Sequence, residues 1–139
     1  MSSIEPYATA AFELRPGVAI HEWRDAHDVV AYAAASPGSG WLDEGIAFYA
    51  SATPIDGFAP IYRWQLGGES QYATASPGDG FARGDVAFYA ANAPSVAGSS
   101  LTYRPVFDWY KRTSHLLSPK GAGLEQYGYT RGEPVFYAP

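Results

Sequence analysis

An internal repeat is the feature that most constrains how this chain can fold. Residues 32–50 read YAAASPGSGWLDEGIAFYA and residues 72–90 read YATASPGDGFARGDVAFYA, so 11 of 19 aligned positions are identical without a gap. A third, more diverged copy ends with GYTRGEPVFYA at residues 128–138. Units repeated at this period cannot bury an apolar face alone and do so by packing on their neighbours. The sequence therefore predicts three similar units that share one core.

Each copy opens on a segment that ends in tryptophan. The segments read AIHEW, PIYRW and PVFDW, and their tryptophans, Trp23, Trp64 and Trp109, lie 41 and then 45 residues apart. These segments and the later FYA segments are rich in β-branched and aromatic residues, which favour strands. Ser-Pro-Gly sequences between them supply turns, and no window of 11 or more residues has a clean helical stripe. We therefore expect an all-β protein with roughly four short strands in each copy.

The length of 139 residues gives room for a single domain. Its three copies span approximately residues 16–57, 58–98 and 99–139. Three four-stranded units around a pseudo-threefold axis predict a β-trefoil. Another three-fold arrangement, a β-prism or a propeller-like assembly, is the alternative, although propellers normally have ~4–8 blades.

Composition excludes several function classes. The net charge is −5 with only 9 basic residues, which argues against a nucleic-acid partner. Without cysteine there is neither a disulfide framework nor a thiolate metal site, and we expect no cofactor. Met1–Arg15 lacks a signal-peptide pattern, and no apolar run is long enough to span a membrane. The sequence predicts no membrane insertion and a cytoplasmic or non-classically secreted protein.

Three motifs of the copies resemble a repeat family of unknown function that is often appended to secreted hydrolases. The family pattern is matched by PIYRW at Pro60–Trp64, by Tyr72-Ala73-Thr74, by EGIAFY at Glu44–Tyr49 and by His115. The similarity spans about Val18 to Ala138. The association with hydrolases implies a carbohydrate-targeting module with a lectin-like role.

The two faces of the first strand of each copy differ in chemistry. One face carries the repeated tryptophan, which is either the core pillar of its unit, the interpretation we favour, or a platform that stacks on sugar rings. The other face carries an aliphatic residue, followed two positions later by a charged one whose sign changes between copies. These charged residues, which we expect to face solvent unless they orient a ligand in a pocket, are Glu22, Arg63 and Asp108.

Ligand-binding candidates are aromatic, hydroxyl-bearing and charged side chains at or near the turns. Tyr32 and Tyr72, with His115 as their counterpart in the third copy, precede turns, whereas Trp41, Phe81 and Tyr129 follow them beside charged residues. The complete candidate set is Trp41, Glu44, Tyr32, Arg63, Tyr72, Phe81, Asp85, Asp108, His115 and Tyr129. No catalytic residue is predicted, because neither a nucleophile elbow nor a phosphate-binding glycine loop is present. No metal site is predicted either.

These features predict a non-catalytic lectin-like protein that binds glycans or glycoconjugates at one to three shallow aromatic and polar sites. A protein-binding trefoil, such as a protease inhibitor that uses the loop at Ala91–Leu101 or Lys120–Tyr127, is the first alternative. A structural subunit or homo-oligomer that buries an aromatic patch is the second. The copies agree at apolar and turn positions and differ at charged ones, so we expect one or two good sites rather than three equal ones.

Overall fold

The computed structural model describes residues 17–139, so the expectation for Met1–Arg15 falls outside the described residues. The described chain is all-β, as predicted, with a one-turn 3₁₀ helix at Leu124–Tyr127. Within this part of the chain, no helix is long and apolar enough to cross a membrane. The strands are β1 (Val18–Arg24), β2 (Val30–Ala33), β3 (Leu42–Ala50), β4 (Phe58–Leu66), β5 (Glu69–Ala73), β6 (Ala82–Ala91), β7 (Arg104–Lys111), β8 (Ser114–Ser118) and β9 (Thr130–Ala138).

Each copy forms the same three-stranded antiparallel unit. A hairpin (β1–β2, β4–β5 or β7–β8) is extended by a long third strand (β3, β6 or β9) on the other side of its first strand. The registers correspond from copy to copy, as the equivalent pairs Glu22↔Tyr32, Arg63↔Tyr72 and Asp108↔Leu117 show. The three units are joined where the end of one third strand pairs with the next, at Ser51↔Tyr89 and Ala91↔Tyr137.

The prediction of four strands per copy is wrong for the described residues, and the β-trefoil is not confirmed. The glycine-containing segment before each FYA sequence continues a single strand instead of ending one. Its register shifts against the first strand on both sides of His21, Tyr62 and Phe107. At Gly84 a Cβ atom would lie 2.7 Å from the Arg63 carbonyl oxygen, so glycine is needed for this close approach. These register shifts are those of a β-bulge, which bends the strand without ending it.

The three units share one core, as predicted. At its centre the rings of Phe48, Phe88 and Phe136 form a triangle, with ring centres 5.2, 5.0 and 5.4 Å apart and edge-to-face contacts throughout. Such aromatic pairs add stability beyond the area they bury. Equivalent aliphatic residues surround the triangle: Ile20, Ile61, Val106, Ala50, Ala90 and Ala138.

The repeated tryptophans lie outside this shared core, on the opposite face of the first strands. Trp109 is 0% exposed, whereas Trp23 and Trp64 are half-buried. Each indole N–H donates to a backbone carbonyl at the end of its hairpin's second strand or two residues past it, at Ala33 (3.0 Å), Ala73 (2.9 Å) and Lys120 (3.0 Å). The tryptophans therefore tie each hairpin to the turn that follows it, and neither of the two predicted roles describes them fully.

Candidate functional site

The inner face of the units changes from apolar to polar along the strands. Two positions beyond Ile20, Ile61 and Val106, the same face carries Glu22, Arg63 and Asp108, all of them half-buried. The favoured prediction that these charged residues face solvent is therefore wrong. Alternation along a strand places them beside the core, and polar groups of the neighbouring hairpin strands accompany them there.

Two buried tyrosines link the copies through their hydroxyl groups. The Tyr32 hydroxyl donates to Glu22 Oε1 at 3.0 Å and accepts from the backbone N–H of Leu117 in the third copy at 2.8 Å. The Tyr72 hydroxyl accepts from the backbone N–H of Tyr32 at 3.0 Å. Burial raises the pKa of both hydroxyls, that of Tyr32 strongly, so both stay neutral. The structure places these two candidates inside the protein, where they hold it together.

The third copy replaces this tyrosine contact with an ionic one. Leu117, rather than His115, occupies the position equivalent to Tyr32 and Tyr72. His115 lies between two carboxylates, with Nε2 2.7 Å from Glu69 and Nδ1 3.0 Å from Asp108. Burial lowers the pKa of His115, but the hydrogen bonds and charges of both carboxylates outweigh it, so the pKa lies above its ordinary value. The imidazole therefore bridges the second and third copies.

A cavity of about 340 Å³ opens above these polar groups, where the three hairpin turns converge. We call it the hairpin cavity. All three hairpins contribute to its wall, which consists of Arg24, His27, Asp28, Val29, Val30, Gly68, Ser70, Lys111, Thr113, Ser114, His115, Leu116 and Tyr129. Its volume is within the range of small-molecule sites, roughly 300–1,000 Å³.

Charges of both signs surround the hairpin cavity. The Arg24 guanidinium lies 3.6 Å from Glu22, 3.8 Å from Asp28 and 3.7 Å from Glu44. The Lys111 ammonium donates to the Tyr127 carbonyl and lies 5.2 Å from the centre of the Tyr129 ring. With the two carboxylates at His115, five acids accompany Arg24, Lys111 and His115. Of these five acids only Asp28 lines the cavity, beside Arg24, Lys111 and the two histidines His27 and His115, so the other four carboxylates lie behind or at the edge of the wall.

A second concave site lies between the first and second copies. This cleft, the Arg63 cleft, has a volume of about 360 Å³. One wall is formed by residues of β2 and by Pro37, and the other by residues of β4 and β6. Four predicted site residues line it: Tyr32, Arg63, Tyr72 and Asp85.

The other candidates are distributed over two places. His115 and Tyr129 line the hairpin cavity, and Asp108 contacts His115 from behind. Glu44 contacts Arg24 at the edge of that cavity. Trp41 and Phe81 are half-buried and line neither site.

Sequence reasoning missed three groups of the hairpin cavity, namely Arg24, Asp28 and Lys111. The signal for Arg24 and Lys111 is that a basic residue follows shortly after the repeated tryptophan in copies one and three, and Asp28 has no such signal. On the outer face, positions near the tryptophans are already engaged by their own copy. Arg83 covers the ring of Tyr62 at 4.7 Å and Arg131 that of Phe107 at 4.8 Å, and in copy one His21 and Asp43 form a 2.9 Å contact.

No protein-family model, curated protein or solved structure matches the chain. The resemblance to the hydrolase-associated repeat family therefore remains a prediction from the motifs. Within residues 17–139, no group of three histidine, aspartate or glutamate side chains is arranged to hold a metal ion. Functional inference consequently depends on the geometry of the hairpin cavity and the Arg63 cleft.

Proposed function

We propose that this protein binds carbohydrate, and that its principal site is the hairpin cavity. One observation carries the proposal: three hairpins with different side chains converge on a single cavity. Its wall combines hydrogen-bond donors and acceptors with an aromatic ring. Each hairpin contributes different side chains, so the convergence makes one asymmetric site out of three similar units. Because the charged residues differ between the copies, a single asymmetric site is favoured over three equal ones.

The chemistry of the wall fits a neutral, polyhydroxylated ligand. Sugar hydroxyls both donate and accept, and here Asp28 accepts while Arg24 and Lys111 donate. Arg24 lies close to three carboxylates and Lys111 donates to the Tyr127 carbonyl, so neither of these wall cations needs an anionic ligand as its partner. Nucleic acid is disfavoured by the net charge of −5 with only 9 basic residues.

Tyr129 provides the apolar surface that a sugar ring needs. Its half-buried ring lines the cavity with the Lys111 ammonium over one face, and the exposed part of the ring can contact the aliphatic C–H groups of a sugar. The tyrosines of the inner layer, Tyr32 and Tyr72, are buried and do not offer such a face.

We infer further that the three units are related by a pseudo-threefold axis through the phenylalanine triangle, in a prism-like arrangement. Support comes from the near-equal ring separations and from the matching registers of the three hairpins. On this arrangement the hairpin cavity lies at one end of the axis, which explains why all three copies contribute to it.

The test is calorimetric titration of the full chain with neutral mono- and oligosaccharides, after a glycan array has selected the best binders. Tyr129→Ala should weaken binding about fivefold, since an aromatic contact contributes about 1 kcal/mol. Tyr127→Ala is the matched control, because Tyr127 is 62% exposed on the adjacent segment and does not line the cavity. Absence of binding to any neutral sugar at millimolar concentration would refute the proposal.

A second pair of variants tests the polar wall. Asp28 has a side chain that is 85% exposed and a positive φ of 62°, which asparagine also tolerates. Asp28→Asn removes the carboxylate without straining the turn and should weaken sugar binding several-fold. Asp79→Asn, on an exposed turn of copy two, should leave affinity unchanged, and equal effects of the two substitutions would exclude a specific role for Asp28.

A further inference from the structure

Arg63 differs from its two counterparts in the inner polar layer. Glu22 accepts a hydrogen bond from Tyr32, and Asp108 accepts from His115, so both acids have partners within the protein. Arg63 has only a long contact, from Nη2 to Ser70 Oγ at 3.3 Å. No ion pair joins it to any carboxylate among residues 17–139. The described structure therefore leaves most of the guanidinium donors unused.

Burial makes one of these unused donors costly. Its Nε atom is buried and has no hydrogen-bond partner within the described part of the chain. A buried cationic donor without a partner loses hydration that nothing replaces. Buried polar groups are nearly always satisfied, so an exception calls for a partner from outside the fold.

The Arg63 cleft supplies the space for such a partner. Among the described residues, the charged ones that line it are Arg63 and Asp85, and Gln65 adds an amide. Much of the remaining wall is apolar, including Pro37 and Val86. Gly84, next to Asp85, leaves the backbone bare at the point where it approaches Arg63 closely.

We propose that the Arg63 cleft is a second binding site, which takes a small hydroxylated carboxylic acid of the hexuronate type. The guanidinium of Arg63 pairs with the ligand carboxylate, the contact for which its planar fork of donors is suited. Asp85 and Gln65 bind hydroxyl groups, while Pro37 and Val86 contact the carbon skeleton. The carboxylate requirement distinguishes this site from the hairpin cavity, where the Arg24 guanidinium already lies close to carboxylates of the protein.

The experiment is a comparative titration of the full chain with glucuronate and with glucose. Binding is monitored through the NMR signals of the arginine Nε–H groups. We expect glucuronate to shift the Arg63 Nε–H signal and to bind at least tenfold more tightly than glucose at this site. Arg63→Met should abolish that preference, and Arg63→Lys should weaken glucuronate binding because the fork is lost. Arg131→Met, which removes an exposed arginine from the outer face, is the matched control and should bind normally.

Equal affinity for the two sugars, or glucuronate binding that survives Arg63→Met, would overturn the proposal. If Arg63→Met fails to fold, the wild-type Nε–H signal decides, because a signal unmoved by saturating glucuronate also overturns it. Tyr129→Ala should leave glucuronate affinity unchanged, and its loss in that variant would move glucuronate to the hairpin cavity and refute the second site. Failure of neutral-sugar binding, in contrast, would refute only the function proposed for the hairpin cavity.

Discussion

Replacement of Phe88 by alanine tests whether the three copies share one core. The Phe88 side chain is 2% exposed. Its ring centre lies 5.2 Å from that of Phe48, 5.4 Å from that of Phe136 and 6.3 Å from that of Tyr72. Phe88→Ala therefore removes contacts to aromatic rings of all three copies at once.

The expected cost is about 4 kcal/mol in the free energy of unfolding. Loss of a buried phenylalanine side chain costs about 3–5 kcal/mol, including the cavity that remains. We take the middle of this range because Phe48 and Phe136 also pack against each other, so their rings can fill the cavity only partly. Domains of this size have free energies of unfolding of about 5–15 kcal/mol. The unfolding transition of the variant can therefore be measured only if the wild type is well above the lower end of that range. Phe88→Leu, at about 1–1.5 kcal/mol, provides the milder form of the same test.

The assay is urea unfolding followed by tryptophan fluorescence. With a slope of ~2 kcal/mol per molar urea, Phe88→Ala should lower the midpoint by about 2 M without changing the slope. Phe48→Ala and Phe136→Ala should cost the same within about 1 kcal/mol, and Tyr127→Ala should stay within ±0.5 kcal/mol as a surface control. A cost below about 1.5 kcal/mol for Phe88→Ala, or two separate transitions in the wild type, would show that the core is not shared.

Two further predictions concern the polar layer. Because the folded pKa of His115 is raised, its contribution to stability is complete below its unfolded pKa, near ~6.5, and is lost as pH rises through the folded pKa. The difference in the free energy of unfolding between wild type and His115→Gln should therefore be largest near about pH 6 and shrink towards about pH 9. A constant difference in urea melts across that range would contradict the ionic contact of His115 with Glu69 and Asp108. Tyr32→Phe leaves the Leu117 N–H and the Glu22 carboxylate without their hydroxyl partner and should cost about 1–3 kcal/mol in the same melts, whereas a cost as small as that of Tyr127→Phe would refute the network.

The fold is predictable where the sequence repeats and less so where it varies. FYA segments and β-branched strands recur in every copy, so the all-β units and their common core follow from the pattern. The strand count does not, because a glycine such as Gly84 has the same sequence appearance in a turn and in a bulge. Only the opposing Arg63 carbonyl, which is distant in sequence, decides between them.

The candidate site was harder to predict because its partners come from different copies. Alternation correctly puts Glu22 on the same face as Ile20, but the charge suggested solvent. Burial is tolerated because the Tyr32 hydroxyl donates to Glu22 while it accepts from the Leu117 N–H of the third copy. Arg24 and Lys111 end the first strands of two hairpins whose turns differ in length and composition. Their convergence therefore appears only in three dimensions.

The most direct test of carbohydrate binding in the hairpin cavity is a ¹H–¹⁵N NMR titration of the full chain with the best neutral sugar. We predict shifts confined to the turn ends of the three hairpins, residues 24–30, 67–70 and 111–116, and to Tyr129. The indole N–H signals of Trp23, Trp64 and Trp109, which are held by backbone carbonyls, should not move. Shifts centred on those indoles with silent hairpin turns would contradict this prediction and place the sugar on the outer aromatic faces.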